Sequence, residues 1–203
     1  MSYPVTNNRL DIIIPLIKGK KVLDLGCVDH DLKQVEGSWM HRELAKHAQE
    51  LAGVDHLKSA VDELQKRGYQ ITCQNVEELN LTQTFDVAIA GEIIEHLTNP
   101  GKFLEGIHRH LEDDGLLIIT TPNAFSIANI FKILKRNQIK VNADHTTWYD
   151  PVTLTCLLTK CRFRVKKTFW LHDFKRFKIR SLFSKLRPYF DDGFLMICEK
   201  IKT

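Results

Sequence analysis

Glu92, Glu95 and His96 carry the strongest chemical spacing in this 203-residue chain. At i, i+3 and i+4 they project from one face of a helix. His145, from the region after the fifth apolar run, adds a second imidazole. Two carboxylates and two imidazoles suit Mg²⁺, Mn²⁺, Fe²⁺ or Zn²⁺. The same acids also suit a helix N-terminus through the macrodipole alone, so the spacing leaves both readings open.

A second group of residues comes after short apolar runs. Val22-Leu23-Asp24-Leu25 leads into Gly26-Cys27, Leu51–Asp55 into His56, and Tyr69–Cys73 into Gln74-Asn75-Val76-Glu77. Phe85–Ala90 leads into Gly91-Glu92, and Leu116–Thr121 into Pro122-Asn123. Gly26 permits a tight turn and leaves room for a ligand. A dinucleotide would need a full G-x-G-x-x-G here, to lay its pyrophosphate on a helix N-terminus. The chain continues instead Val28-Asp29-His30-Asp31, with no glycine before Gly37. Acids where phosphate would lie disfavour a dehydrogenase and suit a nucleoside bearing cationic sulfonium and ammonium groups. Asp55 can accept from both hydroxyls of a ribose, and an amide near Asn75 can pair with an adenine edge. Each position also has a plain structural use: Asp55 as the cap of a helix starting near Lys58, Gly26 as an ordinary turn residue.

Helical patterns lie between these runs, over Trp39–Glu50, Lys58–Arg67 and Pro100–Leu111, and Asp113-Asp114-Gly115 supplies a turn into the fifth run. Further helices are expected near Ser126–Arg136 and Pro151–Cys161, and strands near Phe163–Leu171 and Phe194–Lys200. Strands separated by helices of this length need right-handed crossovers. The expectation is a doubly wound α/β fold: a mostly parallel seven-stranded sheet, helices on both faces and an antiparallel edge strand. One domain over residues 1–203 is expected, with an N-terminal helix in 1–19 and helical elements at 124–162 and 172–192 on the substrate side. In such sheets ligands bind beyond the carboxyl ends of the strands, where the order reverses.

Hydrophobic content of 43% and charged content of 27% are ordinary for a globular chain. Runs such as Leu116–Ile119 and Phe194–Cys198 are too short to span a bilayer, and Met1-Ser2-Tyr3-Pro4 does not begin a signal peptide. Cys27, Cys73, Cys156, Cys161 and Cys198 form no C-x-x-C pair, so reduced thiols in the cytoplasm are expected. Charge is uneven: residues 1–123 hold 12 Lys+Arg against 19 Asp+Glu, and residues 124–203 hold 17 against 6. In the basic third, Ile127, Ile130, Phe131 and Leu134 lie beside Lys132, Lys135 and Arg136, and Ile179, Leu182, Phe183, Leu186 and Phe190 repeat the design. These stripes either pack on the sheet beneath solvated charges or form a surface for an anionic acceptor or the membrane interface that carries one. Nucleic acid is disfavoured, because no strand face interleaves aromatics with Lys and Arg.

Taken in order, Val22–Cys27, Gly53–Asp55, Phe85–Leu97 and Leu116–Asn123 resemble the successive motifs of the class I, Rossmann-like S-adenosylmethionine-dependent methyltransferases, over roughly residues 20–165. Gly91-Glu92-Ile93-Ile94-Glu95-His96-Leu97 and His145-Thr146-Thr147-Trp148-Tyr149 are similar to the ubiquinone-biosynthesis O-methyltransferase group. The resemblance implies S-adenosylmethionine as cofactor. Gly26 and Cys27 would line its methionine part, Asp24 would orient the glycine turn or the ammonium, and Asp55 would hold the ribose. Asn75 with Val76 would flank the adenine, and His56 and Gly91 join this set. A similar Glu-x-x-Glu-His arrangement binds metal in small-RNA 2′-O-methyltransferases, making Glu92, Glu95, His96 and His145 candidate ligands for Mg²⁺ or Mn²⁺.

Methyl transfer is an in-line displacement, so alignment and desolvation dominate. An alcohol acceptor must also lose its proton, to His145 or His96 as general base or with the help of a metal. Cys27 has no base beside it and is not expected to be a nucleophile. The implied acceptor is a hydroxyl on a small molecule, a glycan or a lipid-linked compound. Two departures from the group stand out: Val28 and His30 replace glycines, and Asn75 replaces an acid. The irregular glycine turn favours the alternative, a non-catalytic scaffold or regulator on the same fold.

Overall fold

Successive residues of a strand point to opposite faces of its sheet, so strands apolar on both sides must be covered on both. The structure, a computed structural model, describes residues 3–28, 39–138, 142–172 and 187–202. Its elements are β1 (Val5–Thr6), α1 (Leu10–Ile17), β2 (Lys21–Leu25), α2 (Met40–Ala45), β3 (Glu50–Asp55), α3 (Lys58–Lys66) and β4 (Ile71–Cys73). Then come β5 (Phe85–Gly91), α4 (Pro100–His110), β6 (Leu111–Pro122), α5 (Ile127–Arg136), α6 (Pro151–Lys160), β7 (Phe163–Leu171) and β8 (Gly193–Lys200). One sheet runs in the order β1-β7-β8-β6-β5-β2-β3-β4. It has eight strands, one more than expected, because the short β1 pairs parallel to β7 through Val5 and Trp170. The antiparallel member is β8, which runs against both β6 and β7 toward that side of the sheet.

Alternation sorts the core. Val22, Val87, Ile89, Ile118 and Leu195 cluster with Ile13 and Ile17 of α1 and Leu44 of α2. Their strand neighbours Leu23, Ala88, Ala90, Leu117, Ile119 and Met196 cluster with Phe103, Leu104 and Ile107 of α4 and with Leu154 and Leu158 of α6. Helix α3 adds Ala60, Val61 and Leu64 against Ile71, Cys27, Val28 and Trp39. Pro100 opens α4, and Asp150 closes a capping box with Thr153 at the start of α6.

Two local expectations change. Helix α2 ends at Ala45 instead of reaching Glu50, because Glu50 already pairs with Lys21 as β3 begins. The turn expected at Asp113-Asp114-Gly115 is a bulge within β6: Phe85 pairs with Leu111, but Val87 with Leu116. Helix α5 does not pack its apolar stripe on the sheet. Of its residues only Ile127 is buried, while Phe131, Ile133 and Leu134 are 44%, 45% and 77% exposed. The second stripe, from Ile179 to Leu186, lies outside the described residues, as does the stretch from Asp29 to Ser38. No helix among the described residues is long and apolar enough to cross a membrane.

The sheet splits between β2 and β5: β3 and β4 extend one way from β2, and β6, β8, β7 and β1 extend the other way from β5. The carboxyl ends of β2 and β5 therefore flank the crevice in which a ligand of this fold lies. Leucines in the core and on α5 should respond differently to truncation. Leu104→Ala in the α4 core is expected to lose about 2–5 kcal/mol in urea unfolding, whereas Leu134→Ala on α5 should stay within about 0.5 kcal/mol of the parent.

Candidate active site

The end of β2 turns through Gly26, which has φ +68°. An L side chain is strained there, and a Cβ would stand 2.6 Å from Ile93 Cδ1. Gly53, next to Asp24 in the β2–β3 register, is equally confined: a Cβ would meet Cys27 Sγ at 2.6 Å and His41 Cε1 at 3.0 Å. Two carboxylates are sunk into this end of the sheet, Asp24 at 1% exposure and Asp55 at 3%. Asp55 accepts from the backbone N–H of Val28 at 2.9 Å and of Leu57 at 3.0 Å, which ties the turn after β2 to the end of β3. Val28, the residue that replaces a glycine, is itself buried and so fits this turn. Asp24 Oδ2 meets His41 Nδ1 at 2.9 Å, and Asp24 Oδ1 is buried without a hydrogen-bond partner among the described residues. Burial, and then the charges of Asp24 and Asp55, push the Cys27 thiol far up, so it stays protonated and is no nucleophile. A left-handed turn with no room for a side chain, beside an unpartnered buried carboxylate oxygen, fits a ligand that lays a cationic group there.

At the ends of β5 and β6 the second cluster forms. Glu95 and His96 lie on a single 3₁₀ turn, Ile94–His96. His145 arrives from a loop pinned to that turn by backbone bonds. Thr146 N and Thr147 N donate to Glu95 O at 2.8 and 3.2 Å, and Thr146 Oγ1 donates to Leu97 O at 2.6 Å. The imidazoles of His96 and His145 meet edge to face with centroids 4.6 Å apart. One ligand atom from each of Glu95, His96 and His145 lies within 4.8 Å of the others. Glu95 is 2% exposed and accepts from Thr121 Oγ1 at 3.0 Å. Burial pushes its carboxyl up to about 7, with the Glu92 charge adding to the rise and the Thr121 bond opposing it.

Glu92 does not join this group. It takes a left-handed backbone, φ 52°, and its half-exposed side chain faces Arg9 at 3.8 Å. The shared helix face expected for Glu92, Glu95 and His96 is absent because the segment makes one tight turn and no α-helix. Asn75 is exposed and caps its own short turn by accepting from Glu77 N at 3.0 Å, beside buried Val76. His56 is exposed, 3.6 Å from Asp55. Gly91 lies under Met40, whose Cε is 2.9 Å from the position of a Cβ, with Arg9 Nη1 at 3.7 Å.

Four residues here escape sequence reasoning. Arg9 stands by Gly91 and Glu92; Trp39 donates Nε1–H to Cys27 O at 2.7 Å; His41 holds Asp24; Thr121 holds Glu95. Only Thr121, directly at a strand end, carried a positional signal. The raised Glu95 carboxyl has a consequence for the metal-free protein. Its folded value lies above the unfolded 4.5, so its contribution to stability is complete below pH 4.5 and is lost as pH rises through about 7. Glu95→Gln should therefore match the parent near pH 4.5 and exceed it at pH 8 by on the order of 2–3 kcal/mol in denaturant melts with chelator present.

Comparison with known proteins agrees with this geometry. A family model described as Methyltransferase domain matches residues 6–168. The chain is 27% identical over 183 residues to the ubiquinone biosynthesis O-methyltransferase of Rickettsia prowazekii, covering 81% of this chain and 69% of that protein. It is 28% identical over 151 residues to the enzyme of the same name from Coxiella burnetii, covering 68% of this chain and 61% of the relative. Among solved structures, a SAM dependent methyltransferase from Archaeoglobus fulgidus shares the fold at a TM-score of 0.67 and 17% identity, covering 95% of this chain and 91% of that one. With strand order, crevice and family match in agreement, the chain belongs to the methyltransferase domain family and is a class I, S-adenosylmethionine-dependent enzyme.

Proposed function

We propose that the protein transfers a methyl group to a hydroxyl of a small-molecule acceptor, and that His145 takes the acceptor's proton. The observation that carries this reading is the meeting of Glu95, His96 and His145 at the ends of β5 and β6, beside the crevice that flanks β2. S-adenosylmethionine, when bound, supplies a methyl group on a sulfonium, already a good leaving group. The chain's own part is to hold, align and keep dry. Asp24, Gly26, Cys27 and Gly91 face the methionine end in this reading, and Arg9 adds a cation for its carboxylate. Asp55 and His56 serve the ribose; Asn75 and Val76 flank the adenine.

His145 is half-buried and within proton reach of a hydroxyl lying over His96 and Glu95. A second use of the same three residues is supported by their spacing, since one carboxylate and two imidazoles within 4.8 Å suit Mn²⁺, Fe²⁺ or Zn²⁺ better than the oxygen-preferring Mg²⁺. Such an ion would supply a Lewis acid. Glu92, turned toward Arg9, would not be among its ligands.

The name shared by the Rickettsia and Coxiella relatives favours a ring hydroxyl, with a lipid-linked or glycan acceptor as the wider class. Helix α5 bears on this choice. Its exposed Phe131, Ile133 and Leu134 stand among Lys132, Lys135 and Arg136, an apolar-basic combination that suits an anionic membrane interface. The unpaired thiols of all five cysteines support a reducing compartment such as the cytoplasm.

Turnover is best sought with a panel of a dihydroxyphenyl compound, a polyprenylated phenol and a lipid-linked glycan. His145→Ala is expected to lose about 10²–10⁴-fold in kcat while S-adenosylhomocysteine affinity holds; unchanged turnover would remove His145 from the reaction. Chelation followed by added Mn²⁺ separates the two uses, because only a metal role makes activity vanish and return. Sedimentation with phosphatidylglycerol vesicles at low salt should carry the protein down, and Leu134→Glu with Phe131→Glu should abolish it. No pelleting by the parent protein would exclude the membrane contact.

A further inference from the structure

Glu77 lies on the short 3₁₀ turn after β4, beside Asn75 and Val76. Its half-buried carboxylate gathers donors from a segment remote in sequence. Oε1 accepts from Thr98 N at 2.6 Å and from Asn99 N at 2.9 Å, and Oε2 accepts from Asn99 Nδ2 at 3.0 Å. The Thr98 hydroxyl stands 3.2 Å from both oxygens. Burial acts to raise the Glu77 carboxyl, but the bonds from Asn99 and Thr98 outweigh it and hold the group below the ordinary glutamate value. The side chain therefore accepts as an anion, the form that makes the shorter and stronger bonds.

Part of this is a helix cap. Asn99 precedes α4 and forms no cap with its own side chain, so Glu77 serves N–H groups that the helix start leaves open. The cap does not account for the other end of the same peptide. The peptide between Leu97 and Thr98 donates its N–H to Glu77 and accepts at Leu97 O from Thr146 Oγ1, each at 2.6 Å. In a trans peptide these two groups point to opposite sides. Glu77 grips the peptide from the turn after β4, and Thr146, the neighbour of His145, grips it from the other side. A planar unit held at both ends passes displacement from one to the other, and bonds in such a chain strengthen one another.

The turn itself does not need this carboxylate to stay in place. Val76 is buried in the core, Leu79 packs against Gly106 of α4, where a Cβ would stand 3.1 Å from Leu79 Cβ, and Arg109 Nη2 donates to Leu79 O at 3.3 Å. Loss of the Glu77 carboxylate should cut the tie and leave the fold.

We propose that Glu77 is a positioning residue for His145: through the Leu97–Thr98 peptide it ties the loop that carries His145 to the turn that flanks the adenine. Seating of the adenine against Asn75 and Val76 is thereby felt at His145, across the peptide. Methyl transfer needs this alignment, since a misplacement of about 1 Å costs on the order of 10²-fold in rate. The inference rests on the readings of His145 as proton acceptor and of Asn75 and Val76 as the adenine flank.

Adenosine, which carries the adenine end alone, is the probe. In NMR spectra of the parent protein it should shift the Val76 methyl signals and the His145 ring signals together. Glu77→Ala should keep the first shift and lose the second. Thr146→Val, which removes only a hydroxyl at an exposed position, should lose it too, and the double variant should lose no more than either single one. A cap and nothing more would lower the melting temperature of Glu77→Ala and leave Thr146→Val without effect. In turnover, both single variants should lower kcat by up to about 10²-fold while KM for S-adenosylmethionine holds. A His145 shift that survives in either variant, or that is missing in the parent while Val76 responds, would overturn the role of Glu77 and leave the adenine site standing. No response at Val76 would instead overturn the adenine site.

Discussion

The arrangement depends on the parallel ladder between β2 and β5. Val22 to Leu25 pair in register with Val87 to Ala90, and from this seam the remaining strands diverge to either side. Crossover helices then leave in opposite directions from the seam. A crevice is the necessary result. Gly26 and Gly91, the last backbone on each side, are the positions where space is needed, and Gly26 is also where the backbone becomes left-handed.

The two halves of the site are built by different means. On the β2 side the ties are short: Asp55 reaches back to Val28 N, Trp39 to Cys27 O and His41 to Asp24. They form a packed, largely dry wall in which two carboxylates survive because backbone N–H groups and one imidazole serve them. On the β5 side the parts are remote in sequence. Glu95 is about fifty residues from Thr146, and what unites them is the donation of two consecutive loop N–H groups to a single carbonyl. Because Thr121 of β6 bonds the Glu95 carboxyl while the loop holds its backbone carbonyl, three elements converge on this one residue.

Electrostatics derives from that placement. Burial drives the Glu95 carboxyl up to about 7, and the imidazoles of His96 and His145 adjoin it. Across the crevice, Asp24 and Asp55 are buried acids, Asp55 bonded to two backbone N–H groups and Asp24 to His41. Helix α5 carries Lys132, Lys135 and Arg136 beside exposed Phe131, Ile133 and Leu134, so the basic charge of the last third of the chain is partly gathered on this outer helix.

Local residue pattern determined much of this protein. The strands and most helices of the α/β sheet were legible in period-two and helical alternation. The candidate positions were legible in their place at or just beyond a strand's carboxyl end: Asp24, Gly26, Asp55, Glu95 and His96 all lie at the edge where a doubly wound sheet binds ligands. Tertiary structure alone decided which of them meet. Glu92 fits a helical spacing but belongs to a tight turn, and a change of backbone conformation at one residue sent its side chain to Arg9. Periodicity left the stripe of α5 open between core and surface, and among the described residues most of it stays exposed, because packing is set by the whole fold and periodicity only by the helix. His41 looked like one more residue of an amphipathic segment. Its place beneath Asp24 depends on the crossing of α2 over β2 and on the bare backbone of Gly53, distances that no local pattern carries.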